Sequence, residues 1–490
     1  MNKLVLVVVD ALKPAMLERA VADGRAPLFG EILRRGTYHP DCVSVFPSVT
    51  PAAAASITTG RLPDDHGVPS ICWYHRGEGR YVDYGSSGAA VRTFGVLRTI
   101  TDTVYNMNFD HLSRRSTTIF ERLEDAGVRT ACTPFLIYRG RTRHELGLQG
   151  WMRRVAQAAN LRQAVYGPSE LFYGELYASQ DVDCQATLAR PGTRDPYSAC
   201  VGAHIERYDL YDFLLFSLPD NDHFSHRYGP QATTASIERA DRALGELADA
   251  AGGRDAFLRD HAVILMADHA QLAVSRRIDL AAALSDWRVL QPNDPVPDAA
   301  ELAVSPGARS AMVYALAQDG GHGRRLRRRV LRRLRSVEGV DLLAWREDGE
   351  GCLWSDRGEL RFAPGSDLTD QRGGSWNVDG SLAAIEAETR DGVIASAGYP
   401  DALRRVWAAL HCRGAGDMLV SAQREYEFVD WGGSDHIGGG SHGSLRRGDS
   451  LAPLAFLNCG PDAQGPTAEP RQWSITDVAG VVLDHFGVAA

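Results

Sequence analysis

The sequence predicts an α/β protein in which helices cover both faces of a mostly parallel β-sheet, giving a three-layer α/β/α sandwich. The first observation is a set of short runs, each apolar throughout and about as long as a strand: KLVLVVVD, DFLLFSLPDND, AVILMADH and LAPLAFLNCG. Such runs are typical of central strands that are buried on both faces. The second observation is that helical patterns separate the runs, as they do where crossover helices join parallel strands.

Three segments have the apolar spacing of helices that bury one face: TTIFERLEDAGVRT, ASIERADRALGELADAAGG and SITDVAGVVLDHFGV. The second of them repeats apolar residues at the helical interval, at Ile237, Ala240, Leu244 and Leu247. The first ends at Gly127, a residue type that commonly follows the last turn of a helix. We therefore expect helices of ordinary length to pack on the sheet.

Two kinds of region depart from this alternation. Residues 66–115 and 140–200 are rich in Gly, Arg, Tyr and Ser and have weak periodicity, so we expect long decorated loops there. Residues 303–385 predict a smaller inserted α+β lobe, with strands near SAMVYAL, VDLLAW and ELRFA and an arginine-rich helix after the first. The predicted catalytic core then consists of residues 1–302 and 386–490.

Composition excludes several classes of function. The 490 residues carry a formal net charge of -9, which argues against a protein dedicated to duplex nucleic acid. Lysine occurs only at Lys3 and Lys13, so we expect neither Schiff-base chemistry nor a phosphate-loop lysine. No apolar stretch is long enough to span a membrane, and the run before Asp10 is too short for a signal peptide, so we expect a cytoplasmic protein. The eight cysteines lack CxxC spacing and are expected to be reduced thiols.

Carboxylates and imidazoles follow the ends of the predicted strands. Five of them directly follow the first three runs: Asp10, Asp222, His226, Asp268 and His269. A further imidazole, His442, lies in the glycine-rich loop GGGSHGS before the last run. Because ligands of parallel sheets bind beyond the carboxyl ends of the strands, we expect these side chains to lie close together. Two divalent metal ions need about six or seven O and N ligands of this kind.

The stretch FPSVTPAAAASITTG places Thr50 at the predicted start of a helix, because Pro51 suits the first helical turn. At or beside the N-cap, the hydroxyl of Thr50 lies near free backbone N–H groups and the positive end of the helix. Taken alone, the pattern predicts a helix cap. Beside two metal ions, the same hydroxyl is a candidate nucleophile, with helix N–H groups available to phosphate oxygens.

The order of five motifs resembles that of the alkaline phosphatase superfamily, in its type I phosphodiesterase/nucleotide pyrophosphatase branch; the motifs are VVVDAL, FPSVTPAAAASITTGRLPDDHGV, LPDNDHFSHRYGP, ILMADHA and SHGS. The resemblance implies two metal ions, most often zinc, with these ligands: Asp222, His226 and His442 for one, and Asp10, Thr50, Asp268 and His269 for the other. It also implies a large α/β/α sandwich with a small inserted lobe, and a covalent phosphothreonine at Thr50 that a metal-activated water hydrolyses.

By this resemblance the chain is expected to be a phosphodiesterase acting on a small-molecule phosphate ester, with a phosphomonoesterase or phosphonate hydrolase as the alternative. Trp73 and Tyr74 follow the nucleophile helix and are candidates to stack on a base or an aryl leaving group. Ala53, three residues after Thr50, offers no hydrogen bond to a phosphoryl oxygen. That leaves open an alternative of a different class, a catalytically inactive metal-binding scaffold.

Two further Asp–His pairs compete with the ligands named above. Asp220 and His223 lie beside the selected pair, but the family spacing of four residues between Asp and His before Gly-Pro favours the pair already named. Asp435 and His436 precede the GGGSHGS loop, and we expect them to shape it or to contact substrate rather than to bind metal.

Overall fold

The computed structural model describes residues 2–147, 162–174, 176–185, 194–316, 320–461 and 472–489. Within these residues eight strands form a central sheet, in the order Thr37–Val43, Leu451–Leu457, His261–Met266, Lys3–Val9, Phe213–Leu218, Thr130–Cys132, Glu170–Tyr173 and Tyr177–Ala178. The third to the seventh strands of this order are parallel, and the outer pairings are antiparallel. The predicted mostly parallel sheet is confirmed.

Helices cover both faces of the central sheet. One face packs against Thr50–Thr59, Ile119–Asp125 and Val478–His485. The other packs against Pro14–Ala22, Pro27–Arg35, Arg194–Arg207, Thr234–Ala250 and Arg254–Asp260. The Lys3–Val9 strand serves both layers, because its even-numbered side chains join the first core and its odd-numbered ones the second. This is the three-layer sandwich that the sequence predicts.

A second sheet of nine strands forms the smaller lobe. Its order is Leu302–Gly307, Ser310–Ala315, Met418–Ala422, Val340–Glu347, Glu350–Ser355, Gly358–Asp370, Val393–Ser396 and Ala387–Arg390, with Ser375–Gly380 paired to Gly358–Asp370. The arginine-rich helix Gly320–Leu334 packs on one face and Ala402–His411 on the other. The sheet continues past residue 385, where the sequence analysis places the return to the core, because Met418–Ala422 pairs with two strands of the lobe.

The regions expected to be long loops contain short elements. Residues 66–115 form the hairpin Cys72–His75 and Arg80–Asp83, followed by the helices Gly88–Phe94, Val96–Ile100 and Thr101–His111. In residues 140–200, Thr142–Glu145 pairs with Ala164–Gly167, and two further strands join the central sheet; residues 148–161, 175 and 186–193 lie outside the described parts. Most of these elements are too short for a sequence periodicity to show.

A small separate sheet is formed by three strands, Glu425–Phe428, Leu272–Ile278 and Gly440–Ser441.

Cys184 and Cys200 form a disulfide, so the expectation of reduced thiols is wrong for these two residues. Their Cα atoms are 5.8 Å apart, a proximity that their sequence spacing does not reveal. In the described parts of the chain no helix is long and apolar enough to cross a membrane. A cytoplasmic location stays a prediction.

Candidate active site

Three neighbouring parallel strands of the central sheet end at one edge, and a predicted acidic ligand follows each of them. Asp10 comes directly after the middle strand, and Asp268 follows the strand on one side. Asp222 lies in the first turn of the helix Asp220–Tyr228, which follows the strand on the other side. The parallel arrangement of the strands thus brings three carboxylates, distant in sequence, to one place.

Asp222, His226 and His442 form the first cluster, called the Asp222 group below. Oδ1 of Asp222 lies 3.3 Å from Nε2 of His226 and 3.6 Å from Nε2 of His442. Nδ1 of His226 donates to the carbonyl oxygen of Gly440 at 2.7 Å. Nδ1 of His442 donates to the carbonyl oxygen of Ser48 at 2.8 Å. These backbone contacts fix the tautomer in which each Nε2 can act as a metal ligand.

Asp10, Asp268 and His269 form the second cluster, called the Asp268 group below. Nε2 of His269 lies 3.4 Å from Oδ2 of Asp268 and 3.7 Å from Oδ1 of Asp10. Oδ1 of Asp268 accepts hydrogen bonds from the backbone N–H groups of Ala11 and His269, at 3.1 and 2.9 Å. Because Ala11 directly follows Asp10, its bond holds the carboxylate of Asp268 next to Asp10.

Thr50 joins the Asp268 group through its hydroxyl. It is the first residue of the helix Thr50–Thr59, while Val49 occupies the N-cap position without a side-chain cap. Nδ1 of His269 donates to a carbonyl oxygen at 3.3 Å, which leaves Nε2 to accept from Oγ1 of Thr50 at 3.2 Å. The hydroxyl of Thr50 therefore does not cap the helix, although the local pattern alone predicts that it does.

The two groups adjoin each other. The imidazole of His269, from the Asp268 group, stacks on that of His442, from the Asp222 group, with ring centroids 3.9 Å apart and planes 16° apart. All seven residues that the sequence analysis names as ligands are thus linked by the contacts described above. Thr50 lies at the helix start within this cluster, and its side chain is partly exposed.

The carboxylates of the two groups have pKa values shifted in opposite directions. Burial and the neighbouring carboxylates raise the pKa of Asp10 well above its ordinary value. Burial, opposed by backbone hydrogen bonds, raises the pKa of Asp268 to about 6. Burial also opposes ionisation of Asp222, but the nearby imidazoles, His226 first, outweigh it and hold the pKa of Asp222 below its ordinary range.

The imidazoles also differ in their protonation. Burial lowers the pKa of His269 to about 4. Burial and the neighbouring His269 lower the pKa of His442 to about 3. Burial opposes a charge on His226 too, but Asp222 overcomes it and raises the pKa of His226. At neutral pH His269 and His442 are therefore neutral, the form in which imidazole binds a metal ion.

The donor set fits two divalent cations, one for each group. In each group three ligand atoms lie within 4.8 Å of one another. Among the described residues, the buried atoms Oδ1 of Asp10 and Oδ2 of Asp268 have no hydrogen-bond partner. An unpaired buried carboxylate oxygen is costly, and a cation would compensate it. Mixed carboxylate and imidazole donors are ligands that zinc and similar ions take.

Gln271 and Glu427 lie near the site, carry no motif and were missed by the sequence analysis. Gln271 is fully buried, and its Nε2 donates to Oδ1 of Asp222. His436, expected to shape the loop, stacks on His226 with ring centroids 3.9 Å apart. The buried carboxylate of Glu427 accepts a hydrogen bond from Nδ1 of His436 at 2.6 Å. The sequence signal for Gln271 is only its position directly after the Asp-His-Ala motif.

The competing pair Asp220 and His223 lies outside both groups. Oδ2 of Asp220 accepts hydrogen bonds from the backbone N–H groups of Arg194 and Asp195, both at 3.0 Å. Asp220 therefore ties the start of the helix Arg194–Arg207 to the helix that carries Asp222.

Trp73 and Tyr74 are held by contacts with other aromatic side chains. Nε1 of Trp73 donates to the hydroxyl of Tyr84 at 3.2 Å. The ring of Tyr74 packs edge-on against Tyr81 and Tyr314. These contacts involve neither metal-ligand group, and a substrate contact for either residue stays a prediction.

The sequence pattern of the type I phosphodiesterase/nucleotide pyrophosphatase family matches residues 4–345, which is most of the chain. The chain belongs to this family. It is an enzyme that hydrolyses phosphate ester bonds. No curated protein sequence matches it.

Several solved structures share the fold. Phosphonoacetate hydrolase from Sinorhizobium meliloti 1021, solved with phosphonoformate and with phosphonoacetate, is 18% identical with a TM-score of 0.55. Murine ectonucleotide pyrophosphatase/phosphodiesterase 5, also solved as an inactive variant with AMP, is 12% identical with a TM-score of 0.58. The alignments cover 100% of this chain and 96% of each of those chains. At these identities the likeness establishes the fold and not the substrate.

Proposed function

We propose that the chain is a two-metal phosphodiesterase that acts on small-molecule phosphate esters through a covalent phosphothreonine at Thr50. The observation that carries this proposal is the position of the Thr50 hydroxyl, 3.2 Å from Nε2 of His269 at the start of a helix. Membership of the family supports hydrolysis of a phosphate ester. The residues around Thr50 support the finer assignment of nucleophile and metals.

The Asp222 group would hold one cation, and the Asp268 group together with Thr50 would hold the other. Zinc suits this mixture of carboxylate, imidazole and hydroxyl donors. When bound, the two cations would polarise the phosphoryl oxygens and lower the pKa of a hydroxyl or water beside them. Because all seven ligand positions are occupied by suitable side chains, an inactive scaffold is disfavoured.

The reaction then takes place in two displacements at phosphorus. The Thr50 hydroxyl loses its proton to solvent and Oγ1 forms a bond to phosphorus, while the bond to the first alcohol or phenol breaks and that group takes up a proton. A water molecule then loses a proton and its oxygen forms a bond to phosphorus, while the bond to Thr50 breaks and Oγ1 takes up a proton. The start of the Thr50–Thr59 helix supports both steps, because unpaired N–H groups and the helix dipole stabilise anionic phosphoryl oxygens. Two in-line steps give net retention at phosphorus.

Arg194 is our candidate for an additional contact to a phosphoryl oxygen. Ala53 is fully buried and has no side-chain donor. The guanidinium of Arg194 is partly buried and has no ion-pair or hydrogen-bond partner among the described side chains. Its positive charge acts to lower the pKa of Asp10, against the larger effect of burial, so its field reaches the site. A guanidinium binds phosphoryl oxygens with good geometry.

Arg194→Ala should lower kcat/KM by about tenfold to a hundredfold without loss of metal, because one charged donor is removed. Arg194→Lys should restore part of the loss. Arg207→Ala is the matched control, since it removes an exposed arginine from the same helix. Equal effects of Arg194→Ala and Arg207→Ala would exclude a role in phosphoryl binding.

The test of the proposed function is a comparison of three chromogenic substrates: bis(4-nitrophenyl) phosphate, 4-nitrophenyl phosphate and 4-nitrophenyl phenylphosphonate. We expect kcat/KM to be highest for the diester, and acid quench during turnover to leave a phosphoryl group on the peptide that contains Thr50. A monoester or phosphonate preferred by about tenfold or more would overturn the diesterase assignment. No turnover of any substrate after zinc addition would favour the inactive scaffold.

A further inference from the structure

Two adjoining cavities lie at the far end of the helix that begins with Thr50. Their volumes are about 710 and about 280 Å³, which together fall within the range of small-molecule sites. Both are bounded by Gly67, Asp110, His111 and Arg413. The ten-residue helix Thr50–Thr59 is about 15 Å long, and Arg61, just past its end, lines the larger cavity. None of the seven proposed metal ligands lines either cavity, so they are separate from the catalytic site.

The larger cavity has an excess of positive charge. Four arginines line it, all of them exposed: Arg61, Arg114, Arg115 and Arg413. Within the described parts of the chain none of the four forms an ion pair or a side-chain hydrogen bond. Three carboxylates also line this cavity, but Asp110 is already paired with Arg162 at 2.6 Å, which leaves Asp64 and Asp65. Four arginines against two unpaired carboxylates favour an anion.

The smaller cavity has an aromatic wall. Trp73 and His75 lie on the same face of the Cys72–His75 strand, with ring centroids 5.1 Å apart. The ring of His111 lies 5.1 Å from that of Trp73 and 6.0 Å from that of His75. All three line the cavity. A planar ring can pack against such a wall by offset or edge-on contacts.

A hydrogen-bond relay favours the tautomer of His111 in which Nε2 carries the proton. Nε1 of Trp73 can only donate, and it donates to the hydroxyl of Tyr84 at 3.2 Å. The hydroxyl proton of Tyr84 is then free to bond Nδ1 of His111, 2.8 Å away. Burial lowers the pKa of His111 to about 4, so the ring is neutral and Nε2 carries its proton.

Nε2 of His111 is therefore a donor without a partner. It is buried, and among the described residues it has no hydrogen bond. His111 itself is 8% exposed and belongs to the wall that the two cavities share. An unmet buried donor is unfavourable unless a ligand or water accepts its proton.

We propose that the two cavities form one binding site for an aromatic phosphate of the size of a nucleoside monophosphate. The phosphate lies among the four arginines, the planar ring lies against Trp73 and His75, and Nε2 of His111 donates to a ligand oxygen between them. The site lies about one helix length from Thr50. It can therefore be occupied while the catalytic site is in use, and it does not depend on the proposed function.

Hydrogen–deuterium exchange of the metal-loaded protein with and without AMP tests this directly. We expect AMP to protect residues 61–77 and 110–116, with adenosine and inorganic phosphate each binding at least about tenfold more weakly, because each meets only half of the site. Protection confined to the segments around Thr50 and Asp222 would overturn the proposal. Phosphate binding as tight as AMP binding would overturn the aromatic half of the site.

The matched variants are Arg61→Ala/Arg413→Ala and Arg332→Ala. The first removes two of the four cavity arginines. It should raise the AMP concentration needed to protect residues 61–77 by about tenfold or more. The second removes an exposed arginine from the lobe helix, and should change nothing. Turnover of bis(4-nitrophenyl) phosphate at saturating substrate should be the same in the wild type and in both variants. An equal loss of AMP binding in both variants would contradict the assigned site.

Discussion

The Asp222 group and the Asp268 group lie side by side, yet their charges are balanced differently before any cation binds. In the Asp222 group one carboxylate lies between two imidazoles, and the pKa of His226 is raised by Asp222. In the Asp268 group two carboxylates share one imidazole, and burial raises the pKa of Asp268 to about 6. The first group is an internally paired Asp–His cluster, whereas the second holds two carboxyl groups with raised pKa values against one neutral imidazole.

This difference indicates what each cation must do. A cation entering the Asp222 group would compete with a proton for His226, because a bound imidazole must be neutral and Asp222 raises the pKa of His226. A cation entering the Asp268 group would stabilise the ionised form of two buried carboxyl groups, including the unpaired oxygens of Asp10 and Asp268. We therefore expect a bound cation to stabilise the Asp268 group more than the Asp222 group. Thr50 contacts this same group, so the proposed nucleophile lies beside the two buried carboxylates.

The largest expected effect is that of Thr50→Ala. Turnover of phosphate esters should fall by about a thousandfold or more, because the covalent route is lost while binding contacts remain. Metal content should stay unchanged, since six of the seven ligands are still present. Thr50→Ser is the control that keeps a hydroxyl, and it should retain measurable turnover. A Thr50→Ala enzyme with near-normal kcat would mean that the hydroxyl only shapes the helix start.

The metal-free protein should respond oppositely to loss of charge in the two groups. At pH 7 Asp268 is ionised at a cost, because its folded pKa of about 6 lies above the ordinary value of 3.8. Asp268→Asn should raise the free energy of unfolding by on the order of 3 kcal/mol at pH 7. The gain should shrink at pH 5, since stability that a raised carboxyl pKa provides is present at low pH and is lost as pH rises through 6.

Asp222→Asn should instead lower the free energy of unfolding of the metal-free protein at pH 7. The folded pKa of Asp222 lies below its ordinary value, so its ionised form stabilises the fold through His226. Urea unfolding in the presence of a chelator measures both variants against the wild type. Changes of the same sign in the two variants would contradict the difference in charge balance between the groups.

Gln271→Met should lower the cation affinity of the Asp222 group and leave that of the Asp268 group unchanged. Gln271 donates to Oδ1 of Asp222, and loss of such a supporting hydrogen bond costs about tenfold in metal affinity. Competition with a chromophoric chelator should show that one cation binds more weakly and that the affinity for the other is unchanged. Ser236→Ala serves as the control for packing effects. It removes a buried hydroxyl that donates to Asn221, on the helix that also carries Asp222. An equal loss of affinity for both cations would mean that Gln271 acts through the packing of the whole site and not through Asp222.

The proximity of the candidate metal ligands could be predicted because the sequence shows where the central strands end. Asp10 and Asp268 each end an unbroken apolar run, and the parallel order of the strands brings them together. The contact between Thr50 and His269 could not be derived locally, because a threonine before Pro51 has the pattern of a helix cap. The bond from Gln271 and the Cys184–Cys200 disulfide depend on which segments are neighbours in space. The same limit applies to the lobe boundary, since Met418–Ala422 joins that sheet from outside the predicted range.

The most direct test of the central claim is elemental analysis of the purified protein, paired with hydrolysis of bis(4-nitrophenyl) phosphate before and after chelation. We expect about two zinc ions per chain, loss of turnover with the chelator, and recovery when zinc is added back. Turnover that persists in protein shown to be free of metal would contradict a two-metal site. Metal-free protein with no turnover after zinc addition would contradict the assignment of Thr50 as a nucleophile toward phosphorus.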